Sequence, residues 1–97
     1  MQVGNQAFAD FIDSAASKVH VTHISNREDP VPILPGRFLG FHHPSGEVHI
    51  DAETSVWSAC PGQDNTSGLC EVGDTTSVLD SDLNDHGGPY GPVTMGC

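Results

Sequence analysis

At 97 residues, with 36% hydrophobic positions, 11 Gly and 7 Pro, the chain has room for one small domain with a thin core; a chain this short buries only about 60–65% of the surface its unfolded form exposes. Thirteen acidic residues against three basic ones leave a formal charge of −10, which repels phosphate backbones and anionic headgroups and so excludes nucleic acid and electrostatic membrane binding as functions. No apolar run reaches the roughly 20 residues of a transmembrane helix, and the opening "MQVGNQAFAD" lacks the basic and apolar regions of a signal peptide, so any export signal is expected outside these residues.

Taken in chain order, Gly4-Asn5 suits a helix start, and Phe8, Phe11, Ile12 and Ala15 follow at i, i+3, i+4, i+7 spacing. This predicts an amphipathic helix over residues 5–17. "VHVTHI" (residues 19–24) carries β-branched residues on both faces, which predicts a strand buried in a parallel sheet. Helix and strand together make half of a β-α-β unit. "SNREDPVPILPG" then leaves the strand, places Asp29, and stiffens the following backbone with Pro30, Pro32 and Pro35. "RFLGFHH" (37–43) and "EVHI" (47–50) read as two short strands, which the turn triplet "PSG" would join as a hairpin extending the sheet.

From residue 51 to 85 the periodicity fades apart from Val78 and Leu79, and a loop is expected, held by a Cys60–Cys70 link. The two cysteines flank "PGQDNTSGL", in which Asn65-Thr66-Ser67 is a glycosylation sequon; both features suit an oxidising, secreted setting. Cys97 is the odd cysteine, which points to a partner elsewhere. There is no internal repeat and no linker, and the whole reads as an incomplete α/β domain.

Two residues stand where chemistry is expected. Asp29 follows a strand end, where catalytic and ligand groups of open α/β sheets gather; the alternative is that Asp29-Pro30 merely starts a turn. Glu28 beside it reads as solvated. His86, in "SDLNDHGGPYG", lies between acids and a Gly-Gly-Pro turn that admits a ligand closely, and an imidazole shuttles protons near neutral pH; the alternative is an ordinary surface histidine. Six histidines raise a metal site, with His20 and His23 or the pair His42-His43 as its ligands. Residues three apart on a strand point to opposite faces, and no zinc-type spacing accompanies them, so no metal is expected.

"VGNQAFADF" (3–11), "THISNREDPVPILPGRFLGFHHPSGEVHI" (22–50) and "DHGGPYG" (85–91), in that order and followed by a terminal cysteine, resemble the C-terminal third of secreted fungal class 3 lipases. The resemblance covers nearly the whole chain; each piece is weak, and their order is the specific part. It implies part of an α/β-hydrolase fold with an incomplete sheet, and a Ser-Asp-His triad whose chain order is nucleophile, acid, histidine. Asp29 and His86 fall in that order. No Gly-x-Ser-x-Gly occurs in the 97 residues, so the resemblance places the serine and the oxyanion hole upstream. The implied partner is an N-terminal part of the same hydrolase, carrying that serine and a cysteine for Cys97.

Val31 and Leu34 match acyl-binding positions of the family, the alternative being that they pack in the core. No cofactor is implied. The substrate is an ester or lipid at an interface. Gly87-Gly88 and "EVHI" depart from the bulkier apolar and aromatic residues common at those places, which leaves the acyl preference open. Residues 1–97 are thus expected to be the C-terminal segment of a secreted triacylglycerol lipase, inactive alone for want of a nucleophile. A feruloyl-type esterase segment is the nearest alternative, and a non-catalytic acidic fragment or binding module comes from a different class.

Overall fold

The computed structural model describes residues 1–95, the Asp80 side chain excepted; the partner expected for Cys97 falls outside the described residues. Asn5 closes the short strand β1 (Gly4–Asn5) and caps the helix α1 (Gln6–Ser14), its side-chain oxygen accepting from the Phe8 N–H at 3.0 Å. That bond satisfies one of the otherwise unpaired donors of the first turn. The helix is shorter than the expected 5–17, because residues 15–19 turn back through Lys18 N–H and Val19 N–H bonds to the Ala15 carbonyl. Its apolar stripe is not buried: Phe8 and Phe11 are exposed and only Ala9 is enclosed.

The strand expected at 19–24 forms further on, as β2 (His23–Asn26). It runs parallel to β4 (Glu47–Ile50) with His23 opposite Glu47 and Asn26 opposite Ile50. The His23 N–H bond to the Gly46 carbonyl, at 3.0 Å, opens the ladder and leaves Val19 and Val21 outside it. The parallel pairing is as expected. The burial is not, since β2 is an edge strand of a three-stranded sheet with β4 at its centre, and Ile24 stays exposed.

The expected hairpin between 37–43 and 47–50 does not form. Arg37–Leu39 coil into a 3-10 turn that Gly40 ends at φ 84°, leaving a two-residue strand β3 (Phe41–His42) that pairs antiparallel with β1. The His43 N–H is held by Asp64 Oδ1 at 3.2 Å, and Pro44 has no N–H to offer a ladder. The antiparallel partner of β4 is instead β5 (Trp57–Cys60), inside the stretch expected to be loop. Asp51 builds the connecting turn by accepting from the Glu53 and Thr54 N–H groups and the Thr54 hydroxyl.

The Cys60–Cys70 disulfide, expected from the flanking loop, joins the end of β5 to the residue preceding the one-turn helix α2 (Glu71–Asp74), with Cα atoms 5.9 Å apart. Two further 3-10 turns, Val78–Asp80 and Leu83–Gly87, complete the described residues. Among the described residues the buried apolar ones include Ala9, Ile50, Cys60 and Cys70, whereas Gln2, Ser25, Asn26, Asp29, Glu47, His49, Asp64, Glu71 and Thr75 are buried polar ones.

Candidate active site

The end of β2 and the turn Leu83–Gly87 meet across 57 positions of sequence. There the Oδ2 of Asp29 lies 2.8 Å from Nδ1 of His86. Asp29 is 1% exposed while the His86 side chain is 44% exposed, so a buried acid orients an imidazole that reaches solvent. The other oxygen, Oδ1, accepts from the Val31 N–H at 2.8 Å. Asp29 therefore does form the turn that its Asp-Pro sequence indicated, and it aims a carboxylate at the histidine as well.

Backbone bonds carry the His86 turn onto the sheet. Asn26, at the last position of β2, donates from Nδ2 to the Asp85 carbonyl at 2.9 Å. The Glu28 N–H donates to Asp85 Oδ2 at 3.3 Å, and the Glu28 carbonyl accepts from the Asp82 N–H at 2.9 Å. Glu28 is thus half-buried and its main chain is engaged. On the far side Tyr90 Oη donates to the His86 carbonyl at 3.0 Å. Burial, and after it the carboxylates of Asp29, Glu71 and Asp85, hold the Tyr90 phenol above its ordinary pKa, which keeps that proton in place.

A second imidazole–carboxylate array is largely enclosed. His49 on β4 is 0% exposed; its Nδ1 is 2.8 Å from Ser25 Oγ and 3.3 Å from Glu71 Oε2, and its Nε2 is 2.8 Å from Asp74 Oδ2. Burial opposes charge on this ring, but hydrogen bonds to Glu71 and Asp74 outweigh it and raise its pKa. A serine, a histidine and an acid thus come together at Ser25, His49 and Asp74. Ser25 is 1% exposed and its hydroxyl donates to Glu47 Oε1 at 3.3 Å, so the array is closed to substrate and serves as an internal pin between the sheet and α2.

The remaining candidates separate. Leu34 lines a groove of about 400 Å³ with Ile33, Phe38, Val72 and Val78, whereas Val31 sits half-buried beside Asp29; neither is a core residue. Asn65 Nδ2, the atom a glycan would occupy, donates to the Pro61 carbonyl at 2.9 Å. His42 and His43 direct ring nitrogens to different groups, Asp64 Oδ2 at 2.7 Å and the Pro32 carbonyl at 2.8 Å.

No protein-family model matches the chain. It is 36% identical over 97 residues to the secreted mono- and diacylglycerol lipase MDL2 of Malassezia globosa, covering 98% of this chain and 30% of that one. Over 90 residues it is 36% identical to the secreted mono- and diacylglycerol lipase LIP2 of Malassezia restricta, covering 92% of this chain and 26% of the relative. The solved triacylglyceride lipase of Rhizomucor miehei superposes with a TM-score of 0.69 at 26% identity, over 96% of this chain and 33% of that one. The chain is thus similar, along nearly its whole length, to a C-terminal part of the class 3 lipases. It spans about 30% of the length of the curated relatives it matches. The chain therefore carries part of an α/β-hydrolase fold, and among its described residues no helix is long and apolar enough to cross a membrane.

The residues that sequence reading missed are Asn26, Asp85 and Tyr90 around His86, and His49 with its acids. Asn26 had one available signal, a short amide three residues before Asp29 at a strand's end. The 59 positions separating Asn26 from Asp85 leave no local pattern for their contact.

Proposed function

We propose that residues 1–97 are the C-terminal segment of the catalytic domain of a secreted carboxylic ester hydrolase acting on acylglycerols, and that Asp29 and His86 are the acid and the histidine of its Ser-Asp-His triad. The single observation that carries this reading is the 2.8 Å contact between the buried Asp29 carboxylate and Nδ1 of a solvent-reaching His86. Asp29 fixes the tautomer that protonates Nδ1, and its charge stabilises the imidazolium. Nε2 is then the nitrogen that takes the proton from a serine hydroxyl as its oxygen adds to the ester carbonyl. It returns that proton to the leaving alcohol, and water repeats the sequence on the acyl-enzyme.

The serine lies outside these residues, so the partner is the N-terminal part of the same hydrolase, and the isolated segment turns over no ester. The relatives named for mono-, di- and triacylglycerides support an acylglycerol substrate over a feruloyl ester, with Leu34 and its groove receiving the acyl chain and Val31 beside the acid. The names of the secreted relatives and the Cys60–Cys70 disulfide support an extracellular location, where the Asn65 sequon would be glycosylated.

The test uses the longer lipase that carries this segment, assayed on acylglycerols and on a feruloyl ester. Asp29→Asn and His86→Ala should each lower kcat by about 10⁴-fold or more. Full activity in either variant removes the assignment and favours a non-catalytic acidic module.

A further inference from the structure

An imidazole is placed only as well as the backbone that bears it, and an ångström of displacement at a reacting centre costs about 10²-fold in rate. The backbone bearing His86 is the short 3-10 turn Leu83–Gly87, which joins no ladder. Hydrogen bonds therefore set its position against the sheet. Two side chains grip consecutive peptides: Asn26 Nδ2 donates to the Asp85 carbonyl at 2.9 Å, and Tyr90 Oη donates to the His86 carbonyl at 3.0 Å. These are the peptide groups immediately before and after the His86 Cα.

The Asn26 side is built into the fold. The residue is 0% exposed, occupies the last rung of the parallel ladder opposite Ile50, and stands three residues ahead of Asp29. Its Oδ1 has no hydrogen-bond partner among the described residues, so the donation to Asp85 is what anchors the amide. One strand end thus fixes both partners of the site: Asp29 directly, and His86 through Asn26. The Tyr90 side is the conditional half, since it holds only while the phenol keeps its proton.

We infer that Asn26 and Tyr90 clamp the peptides on either side of His86 and, as positioning residues that touch no substrate, set its hydrogen bond to Asp29. This rests on the triad reading proposed above. The chemistry of each position follows. Aspartate at 26 would face the Asp85 carbonyl with an acceptor in place of a donor, and would bury a charge. Phenylalanine at 90 would fill the same space without the hydroxyl.

The experiment has two arms, each run on Asn26→Asp and Tyr90→Phe. In the 97-residue chain, proton NMR should show a sheltered Nδ1–H resonance for His86. Asn26→Asp should abolish it by exchange and Tyr90→Phe should speed its exchange, while the ring protons of His49, which hydrogen-bonds to neither residue, stay unchanged. In the longer lipase, kcat should fall by about 10²-fold for Asn26→Asp and severalfold for Tyr90→Phe, with KM constant and the acidic limb of the kcat/KM profile displaced. An unaltered His86 resonance in both variants overturns the clamp, and so does equal loss at His49, which would mean general loosening. If Asn26→Asp does not fold, Tyr90→Phe decides, an unchanged His86 signal and rate counting against the inference. A longer lipase that is inactive with the wild-type segment, alongside the expected NMR result, sinks the triad reading and leaves the clamp standing.

Discussion

His23 stacks on His43 with ring centroids 4.8 Å apart, and burial, followed by the neighbouring imidazole, lowers its pKa from 6.5 to about 4. Burial lowers that of His43 too, against a hydrogen bond to the Pro32 carbonyl that raises it. His49 starts from the same 6.5 and is raised, by the Glu71 and Asp74 carboxylates that overcome its burial. The linkage signs are therefore opposite. A base whose folded pKa is depressed stabilises the fold fully above pH 6.5 and loses that contribution as pH falls towards 4. A base whose folded pKa is raised stabilises it fully below 6.5 and loses that contribution as pH rises through the folded value. Thermal midpoints of the chain should thus pass through a maximum near pH 6.5. His23→Phe, which keeps the stack, should flatten the acidic limb, and His49→Gln should flatten the alkaline limb while lowering the whole curve, because Glu71 and Asp74 then lose their shared cation. Wild-type and variant curves that stay parallel would exclude this origin. None of it is legible in sequence: His49 is one residue of a four-residue strand, and its acids lie 22 and 25 positions on, in a helix of one turn. The meeting of Asp29 with His86 is legible, because the order of motifs around them carries information that each residue alone lacks.

Among the elements, the ones read correctly had local causes. The Asn5 cap and the Cys60–Cys70 link each follow from a residue and its near neighbours. Strand partners were misread because pairing is decided at a distance: β4 takes β2 and β5, with Phe41–His42 going to β1. Likewise 19–24 had the composition of a strand, but only the part that reaches Glu47–Ile50 found a ladder. Gly46 shows how sharply such a ladder is fixed. Its φ is 108°, and a Cβ there would run into the Val21 carbonyl oxygen, at the point where its own carbonyl receives the His23 N–H. Gly46→Ala should cost about 1–3 kcal/mol and speed amide exchange along β2. Gly62→Ala is the control: its φ is 79° with nothing within 4 Å, so it carries only the left-handed penalty of about 1–2 kcal/mol and should leave β2 exchange alone. Equal exchange in the two variants would mean that the glycine at 46 does not set the register.

Across the whole molecule, polarity is turned inside out. Few apolar side chains are enclosed, while an amphipathic helix shows Phe8 and Phe11, the following segment shows Val19 and Val21, and the edge strand shows Ile24. A helix stripe and an unpaired strand edge are what an α/β sheet buries against its neighbours, and apolar surface is worth about 25 cal/mol per Å² when covered. The proposed N-terminal part of the lipase would bring that cover together with the nucleophile, which ties assembly to activity in one experiment. Mixed with its N-terminal part, the 97-residue chain should gain ester hydrolysis that neither piece has alone, and fluorescence of a dye bound to its apolar face should fall in parallel. Ile24→Lys, a charge on the exposed edge strand, should weaken the mixture at least tenfold in the concentration needed for half-maximal activity, and should leave activity per assembled complex unchanged. Hydrolysis by the chain alone, or complementation indifferent to Ile24→Lys, would show that this face is not where the rest of the hydrolase sits.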